Sequence, residues 1–330
     1  MTLQPVFDYR ILLNSFLNKK KSHDRILVKS GRLAFSHIIS FIKENNLINK
    51  IILPNLICDE IVDVAQYHKV KTEYYNVDEA LNYDIDEIEK LAIEQKNIIL
   101  LVNYFGFKRD HNLSNQLKNN FVILDNAHVL SDSIDTNMGS AIDFSFTSLR
   151  KLLPVLSGAE IYSTNNNLSL KQSARFPDIG EMKYSLRSLK RTRGGTSKMG
   201  HESYGGDYKC SSIDMFSKKI IDNYNFIYSE IINKRRSNFV FWENYLSKYD
   251  ITFIKTINDN LDICPYAFPC YVNDVENVEK WIKWGTQKNI TIISWPKYHK
   301  DTLDYVPENF LRHILLFPVN HQFDLNKIIS

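Results

Sequence analysis

Phe121-Val-Ile-Leu-Asp125-Asn-Ala-His128 is an uninterrupted apolar run, rich in β-branched residues, that stops at a carboxylate. Such a run predicts a strand buried on both faces of a parallel sheet. In open α/β sheets ligands bind beyond the carboxyl ends of the strands, which places Asp125 and the turn after it at the rim where a site forms. A second strand is predicted at Ile142 to Phe146, within Asp143-Phe-Ser145-Phe-Thr-Ser148-Leu-Arg150-Lys151, and it delivers a lysine just past its end. Taken singly, an aspartate at a strand end is an ordinary turn or cap residue, and a lysine is ordinarily solvated. Together and in this order, they suggest a cofactor that needs both an acid and an amine.

Pyridoxal phosphate is such a cofactor. Its aldehyde is held by a lysine as a Schiff base, and its ring withdraws electrons when a carboxylate keeps the pyridine nitrogen protonated. Lys151 and Asp125 suit those roles. The region resembles the DegT/DnrJ/EryC1/StrS family of sugar aminotransferases, in which a strand ending in Asp-x-Ala-(Gln/His) precedes a serine-rich strand and turn and then the lysine. The matching residues are Asp125, Ala127, His128, Ser145, Ser148 and Lys151. The resemblance implies that Asp125 faces the ring nitrogen, that His128 lies over the ring or its phenolic oxygen, that Ser145 or Ser148 binds the phosphate, and that Lys151 forms the Schiff base. The common family spacing, counted from Phe144-Ser145-Phe146, ends instead at Arg150, which cannot form one. A variant spacing ending in Ser-Leu-Arg-Lys is therefore expected.

Working outward, Ser30-Gly31-Arg32 opens a stretch with Leu33, Ala34, Ile38, Ile39 and Ile42 at helical spacing, and Ser30 is a natural N-cap. Arg32 opposes the helix dipole there unless an anion binds. The family has a Gly-Thr turn at this point that grips the cofactor phosphate, so Gly31 and Arg32 are expected cofactor contacts; an ordinary capped helix with an exposed arginine is the other reading. After a strand at Ile51 to Pro54, the family supplies an aromatic ring that stacks on the pyridine. Cys58 or Ile57 stands in its place. Further strands are expected near Val70 to Tyr75 and from Asn97 to Tyr104, and Gly158 is the one glycine kept of a usual Gly-Gly pair.

Six of the eleven glycines fall between Gly180 and Gly206, among Arg187, Lys190, Arg191, Arg193, Lys198 and His201. A basic, glycine-rich loop over 180–210 fits a nucleotide diphosphate, and it is equally the composition of a plain surface loop. The expected substrate contacts are Tyr104, Arg193, Lys198, His201, Trp295 and His321. A helical pattern from Ser217 to Tyr249 carries Arg235 and Arg236, expected on a solvated or salt-bridged face, and alternating strands and helices follow from Cys264.

Across 330 residues, 44% are hydrophobic, and 41 Lys+Arg against 38 Asp+Glu leave a net charge of +3. That balance argues against nucleic acid or a membrane as partner. Cys58, Cys210, Cys264 and Cys270 form no Cys-x-x-Cys pair and have no zinc-like histidine spacing, so neither a disulfide framework nor a metal is expected. No apolar run reaches the ~18 residues of a membrane helix, no leader is recognisable, and no GxxxxGK[ST] or GxGxxG pattern occurs. The expectation is a cytoplasmic fold-type I α/β enzyme. Residues 1–215 form its large cofactor domain, with an N-terminal segment over 1–25, and 216–330 a bridging helix and small domain. The resemblance further implies a homodimer that transfers an amino group, with glutamate the expected donor, to a keto group of a nucleotide-linked sugar for cell-surface polysaccharide or secondary metabolites. The alternatives are a degraded relative serving as a binding or regulatory protein, and, ranked lower because Lys151 is present, a pyridoxal enzyme of another reaction type such as a dehydratase.

Overall fold

The computed structural model describes residues 1–17, 26–94, 96–109, 117, 119–130, 141–164, 168, 173–192, 208–209, 211–257, 263–272, 274–296 and 314–329. In chain order these give α1 (Tyr9–Leu17), β1 (Ile26–Val28), α2 (Gly31–Asn45), β2 (Lys50–Pro54), α3 (Asp59–Tyr67), β3 (Lys71–Tyr75), α4 (Ile85–Leu91), β4 (Ile98–Val102), β5 (Phe121–Asn126), β6 (Phe144–Thr147) and β7 (Ala159–Ser163). There follow α5 (Ile179–Thr192), α6 (Met215–Ile221), α7 (Asn225–Leu246), β8 (Ile251–Phe253), β9 (Ala267–Val272), α8 (Val275–Gln287), β10 (Ile293–Ser294), β11 (Ile314–Pro318) and α9 (Leu325–Ile329).

Seven strands form one sheet in the order β1-β7-β6-β5-β4-β2-β3, in which β7 alone runs against the other six, so that β6, β5, β4, β2 and β3 pair in parallel and β7 pairs antiparallel with both β6 and β1. The centre follows from composition: β4 is Ile-Ile-Leu-Leu-Val and buried throughout, as a strand covered on both faces must be. At the edge, β3 is Lys-Thr-Glu-Tyr-Tyr, and Glu73 pairs with Lys50 at 2.7 Å and Lys71 at 2.8 Å, charges that discourage further strand pairing. On α2, Leu33, Ala34, Ile38, Ile39 and Ile42 are all buried, as their spacing predicts.

A second, antiparallel sheet has the order β10-β11-β9-β8. The extreme N-terminus packs on this smaller unit: Met1 O accepts from Thr291 N–H at 2.8 Å, and Gln322 makes both a donor and an acceptor bond to the Val6 backbone. The helical stretch expected to run unbroken from Ser217 is two helices. Asp214 caps α6 through the Phe216 and Ser217 amides, and Asn223 closes it by donating to the Lys219 carbonyl, so the chain turns before α7 begins. The first part of the supposed 180–210 loop is also helix, α5, opened by reciprocal bonds between Asp178 and Glu181.

The two units meet at Gly106. With φ at +96°, a side chain there is strained, and a Cβ would lie 2.5 Å from the Cys264 carbonyl and 3.1 Å from both His128 O and Tyr266 N. All three neighbours are backbone and cannot swing aside. Gly106→Ala is therefore expected to lower stability by about 2–4 kcal/mol in denaturant unfolding.

Candidate active site

The site sits at the carboxyl ends of β2, β4, β5 and β6. Asp125, paired in register with Val102 and Phe146, is 7% exposed and accepts the Ala127 N–H at 2.7 Å. Burial pushes its carboxyl up to about 6, against the opposing pull of the Lys151 charge and the Ala127 amide. The acid and the lysine thus feel one another in a single buried region.

Lys151 lies on the short turn Leu149–Lys151 directly after β6. Its amide donates to Ser148 O at 2.9 Å, Arg150 N–H donates to Gly158 O at 3.1 Å, and Gly158 N–H donates to Lys29 O at 2.8 Å, which ties the turn to the start of α2. The side-chain nitrogen stands 2.9 Å from His128 Nε2 and 5.7 Å from the centroid of the Tyr266 ring. Arg150, the rival by spacing, keeps a buried Nε with no hydrogen-bond partner among the described residues.

His128 is the centre of an aromatic wall. Its ring stacks on Tyr266 at 4.3 Å and 5°, and on Phe105 at 5.8 Å and 13°. Trp295 meets Phe105, Tyr104 and His128 edge-on at 5.0, 6.0 and 6.3 Å. Burial, then the Lys151 charge, hold His128 well below the usual imidazole range, so the ring is neutral. Tyr266 was not among the residues singled out from sequence. It reads as the first residue of a strand, and the bond from its N–H to Phe105 O, 2.8 Å, helps bring it across from the second unit.

The expected cofactor contacts near α2 fall as follows. Gly31 opens the helix so close to Ser148 that a Cβ would lie 3.3 Å from the Ser148 Cβ. Ser145 and Ser148 are both buried. Ser30 holds the N-cap position in extended backbone (φ −156°, ψ 162°), yet its hydroxyl makes no capping bond, contrary to the sequence expectation; its Oγ is buried without a hydrogen-bond partner among the described residues. Arg32 is partly buried, its Nη2 3.0 Å from Glu60 Oε1 of α3, and that carboxylate answers the dipole conflict. Cys58 has its thiol pushed up to about 12 by burial and then by Glu60, with the Lys151 charge opposing and the Asp125 charge reinforcing.

Of the expected substrate contacts, Trp295 joins the wall. Tyr104 is buried with its hydroxyl donated to Leu56 O at 2.8 Å, holding the turn that carries Cys58. His321 has both ring nitrogens buried with no hydrogen-bond partner among the described residues, and burial with the Arg235 charge keeps it well below the imidazole range. Arg193, Lys198 and His201 lie outside the described residues. Among the described residues no group of three or more His, Cys, Asp or Glu comes together to hold a metal, and no helix is long and apolar enough to cross a membrane.

No protein-family model matches the chain, and no curated protein sequence does. Solved structures do match over its whole length. PseC of Helicobacter pylori, an aminotransferase of pseudoaminic acid biosynthesis, is similar with a TM-score of 0.65 at 14% identity, over 99% of this chain and 95% of that one. CalS13 of Micromonospora echinospora, a sugar aminotransferase, gives 0.64 at 13% identity over 99% and 96%. Spr1654 of Streptococcus pneumoniae, assigned as a sugar aminotransferase and solved in a PLP form, gives 0.65 at 13% identity over 99% and 95%. The chain has the fold of the sugar aminotransferases.

Within that fold-type I framework, Arg235 of α7 departs most from its sequence reading. It was expected on a solvated or salt-bridged face. It is instead fully buried, with no carboxylate facing it among the described residues, and it donates to Pro265 O at 3.1 Å, Tyr266 O at 3.3 Å and Leu152 O at 3.4 Å. The guanidinium fork serves carbonyls on both sides of the site, one directly after Lys151 and one on the residue that stacks on His128. Arg235→Ala leaves three buried carbonyls to find new donors and opens a cavity. It is expected to cost about 3–5 kcal/mol in thermal or urea unfolding, with Arg235→Lys in between.

Proposed function

We propose that the chain is a pyridoxal-phosphate-dependent aminotransferase that moves an amino group from an amino acid, glutamate by preference, to a keto group of a nucleotide-linked sugar. The observation that carries this is one buried site, at the carboxyl rim of a sugar-aminotransferase fold, holding Lys151, Asp125 and His128. The residues present suit the cofactor. Ser30 offers a buried hydroxyl without a partner among the described residues, beside the N-terminus of a 15-residue helix, and Gly31 lets that helix approach Ser148 closely. Exposed amides and a hydroxyl at a helix N-terminus make a phosphate cradle.

Bound there, the cofactor supplies an aldehyde that takes up the amino group and a ring that withdraws electrons from the reacting carbon. Asp125 would provide the negative charge that keeps a ring nitrogen protonated, and a cation held opposite it would favour its ionised form against the effect of burial. Lys151 would hold the aldehyde, and its Nζ is the group on this chain that would move a proton at the reacting centre. His128 sets its Nε2 at hydrogen-bond distance from the Lys151 amine, and Phe105, Tyr266 and Trp295 wall the site against water. Polysaccharide or secondary-metabolite synthesis, a homodimer and a cytoplasmic location belong to this reading through the resemblance. The basic segment that includes Arg193, Lys198 and His201 supports a phosphorylated sugar carrier by composition.

Cys58 in place of an aromatic ring, and Arg32 committed to Glu60, favour a second reading, a binding or regulatory relative without catalysis. Purified protein mixed with pyridoxal phosphate separates the two. The enzyme develops a visible absorption band that glutamate discharges with release of 2-oxoglutarate; a chain that stays colourless is the second kind.

A further inference from the structure

We infer that a second copy of this chain covers the outer face of α5, with the two α5 helices paired antiparallel about a two-fold axis. The helix is inside out. Over residues 179–187 its buried side chains are Glu181 and Ser185, while Ile179, Met182 and Leu186 stand 72%, 45% and 58% exposed. Those three recur at helical spacing and so form one stripe. The inner face is held by polar groups instead. Glu181 takes a fork of two bonds from Arg175, at 2.7 and 2.5 Å, and a third from the Asp178 amide at 2.9 Å. Lys29 pairs with Asp178 at 2.7 Å, and the Tyr9 hydroxyl of α1 donates to Ser185 Oγ at 3.0 Å. An amphipathic helix ordinarily turns its apolar stripe to the core. Fastened by ions and hydroxyls, α5 keeps its own for something outside the chain.

The N-terminal segment widens this face. It meets α5 through Tyr9 and through Tyr184, whose hydroxyl donates to Pro5 O at 3.4 Å, and α1 then exposes Leu13, Phe16 and Leu17. The six apolar side chains are 45–83% exposed, which leaves on the order of 800 Å² open, about what one partner of a standard interface buries. The largest apolar patch of a monomer is about 300–600 Å². The stretches that continue α1 and α5, residues 18–25 and 193–207, have only Met199 and Tyr204 as large apolar residues and supply little to cover it. Charge favours a copy over another partner. Asp178, its side chain 45% exposed, stands at the start of the stripe, and the exposed Lys183 and Arg187 flank its later part. Laid antiparallel on its own copy, the acid of each helix meets the bases of the other, the helix dipoles oppose, and the stripes cross near Met182. A parallel pairing would set like charges together. The inference gives a face to the homodimer of the proposed reading, and it rests on the exposed surface and not on the transfer reaction.

Its test is sedimentation equilibrium of the cofactor-free chain at micromolar concentration. The parent is expected at twice its 38.6 kDa. Leu186→Glu puts a charge into the face twice and is expected to raise the dimer dissociation constant by about a hundredfold or more, giving monomers that still melt cooperatively. Should that variant fail to melt cooperatively, Ile179→Glu probes the same stripe. Lys183→Glu, which sets an acid against the other copy's Asp178, is expected to weaken the dimer by about tenfold at low salt. Val240→Glu, at an apolar residue of α7 that is 37% exposed, is expected to remain dimeric. A monomeric parent, or a dimer as tight as the parent's in both Leu186→Glu and Ile179→Glu, would overturn the inference. So would an undiminished Lys183→Glu dimer, because the helices would then not run antiparallel, or loss of the dimer in Val240→Glu, which would move the interface to α7. A dimeric chain that stays colourless with pyridoxal phosphate would reject the proposed reaction and leave this inference standing; a coloured, active monomer would do the reverse.

Discussion

Lys151→Ala is expected to remove the visible band formed with pyridoxal phosphate and to lower amino transfer by about a thousandfold or more, since both the covalent anchor and the proton carrier are lost. The prediction is specific to this position. Lys151 Nζ lies 2.9 Å from His128 Nε2, and its charge acts on Asp125, whereas Arg150 has a buried Nε without a hydrogen-bond partner among the described residues. Arg150→Ala is therefore expected to keep the band. A band that survives Lys151→Ala would put the anchor elsewhere and remove the assignment. Added small amines, which can replace a missing lysine amine in proton transfer but cannot tether the cofactor, are expected to restore part of the rate without the band.

Asp125→Asn is expected to act in two opposite directions. Burial holds the folded-state carboxyl near 6, above the ordinary 3.8 of the unfolded chain. Below about pH 4 both states are protonated and no penalty exists. As pH rises from there to 6 the unfolded chain ionises first, so the folded state loses stability, and above 6 the full cost remains. Two pKa units correspond to about 3 kcal/mol. Asparagine escapes that cost and can still accept the Ala127 amide. The cofactor-free variant is therefore expected to melt several degrees higher than the parent at pH 8, with the gain vanishing toward pH 4. Catalysis is expected to fall by about a hundredfold or more, because no charge then holds the ring nitrogen protonated. Pyridoxal phosphate is expected to raise the melting temperature of the parent more than that of the variant. An asparagine variant that is less stable at pH 8 would show that Asp125 is held by partners rather than strained by burial.

The two variants concern the residues that were most legible in the sequence. A short apolar run, rich in β-branched residues and ending in a charged one, has the length and composition of a buried strand reaching a rim, so Phe121–Asn126 and the position of Asp125 followed from pattern. The same logic found β2, β4 and β6 and the apolar face of α2. Pattern fails where a side chain's role depends on what folds over it. Arg235 was read as solvated because arginine usually is, and nothing in its neighbourhood announces the carbonyls of Leu152 and Tyr266, 83 and 31 residues away. Ser30 was read as a cap because serine before a helix usually is one, and whether the hydroxyl turns to the helix is a matter of rotamer. The long helix was read as continuous because periodicity persists through Asp222-Asn-Tyr224, while the side-chain bond from Asn223 that ends α6 has no periodic signature.

The sequence by itself determined a largely parallel sheet with an acid and a lysine past the ends of neighbouring strands, because burial and strand geometry act over a few consecutive residues. Only the tertiary structure decided that Tyr266 covers His128, that Glu60 takes up Arg32 and that Arg235 joins the two units from inside. Those outcomes depend on which distant segments exclude water from one another, and the free energy of excluding water belongs to the assembled surface and not to any stretch of chain.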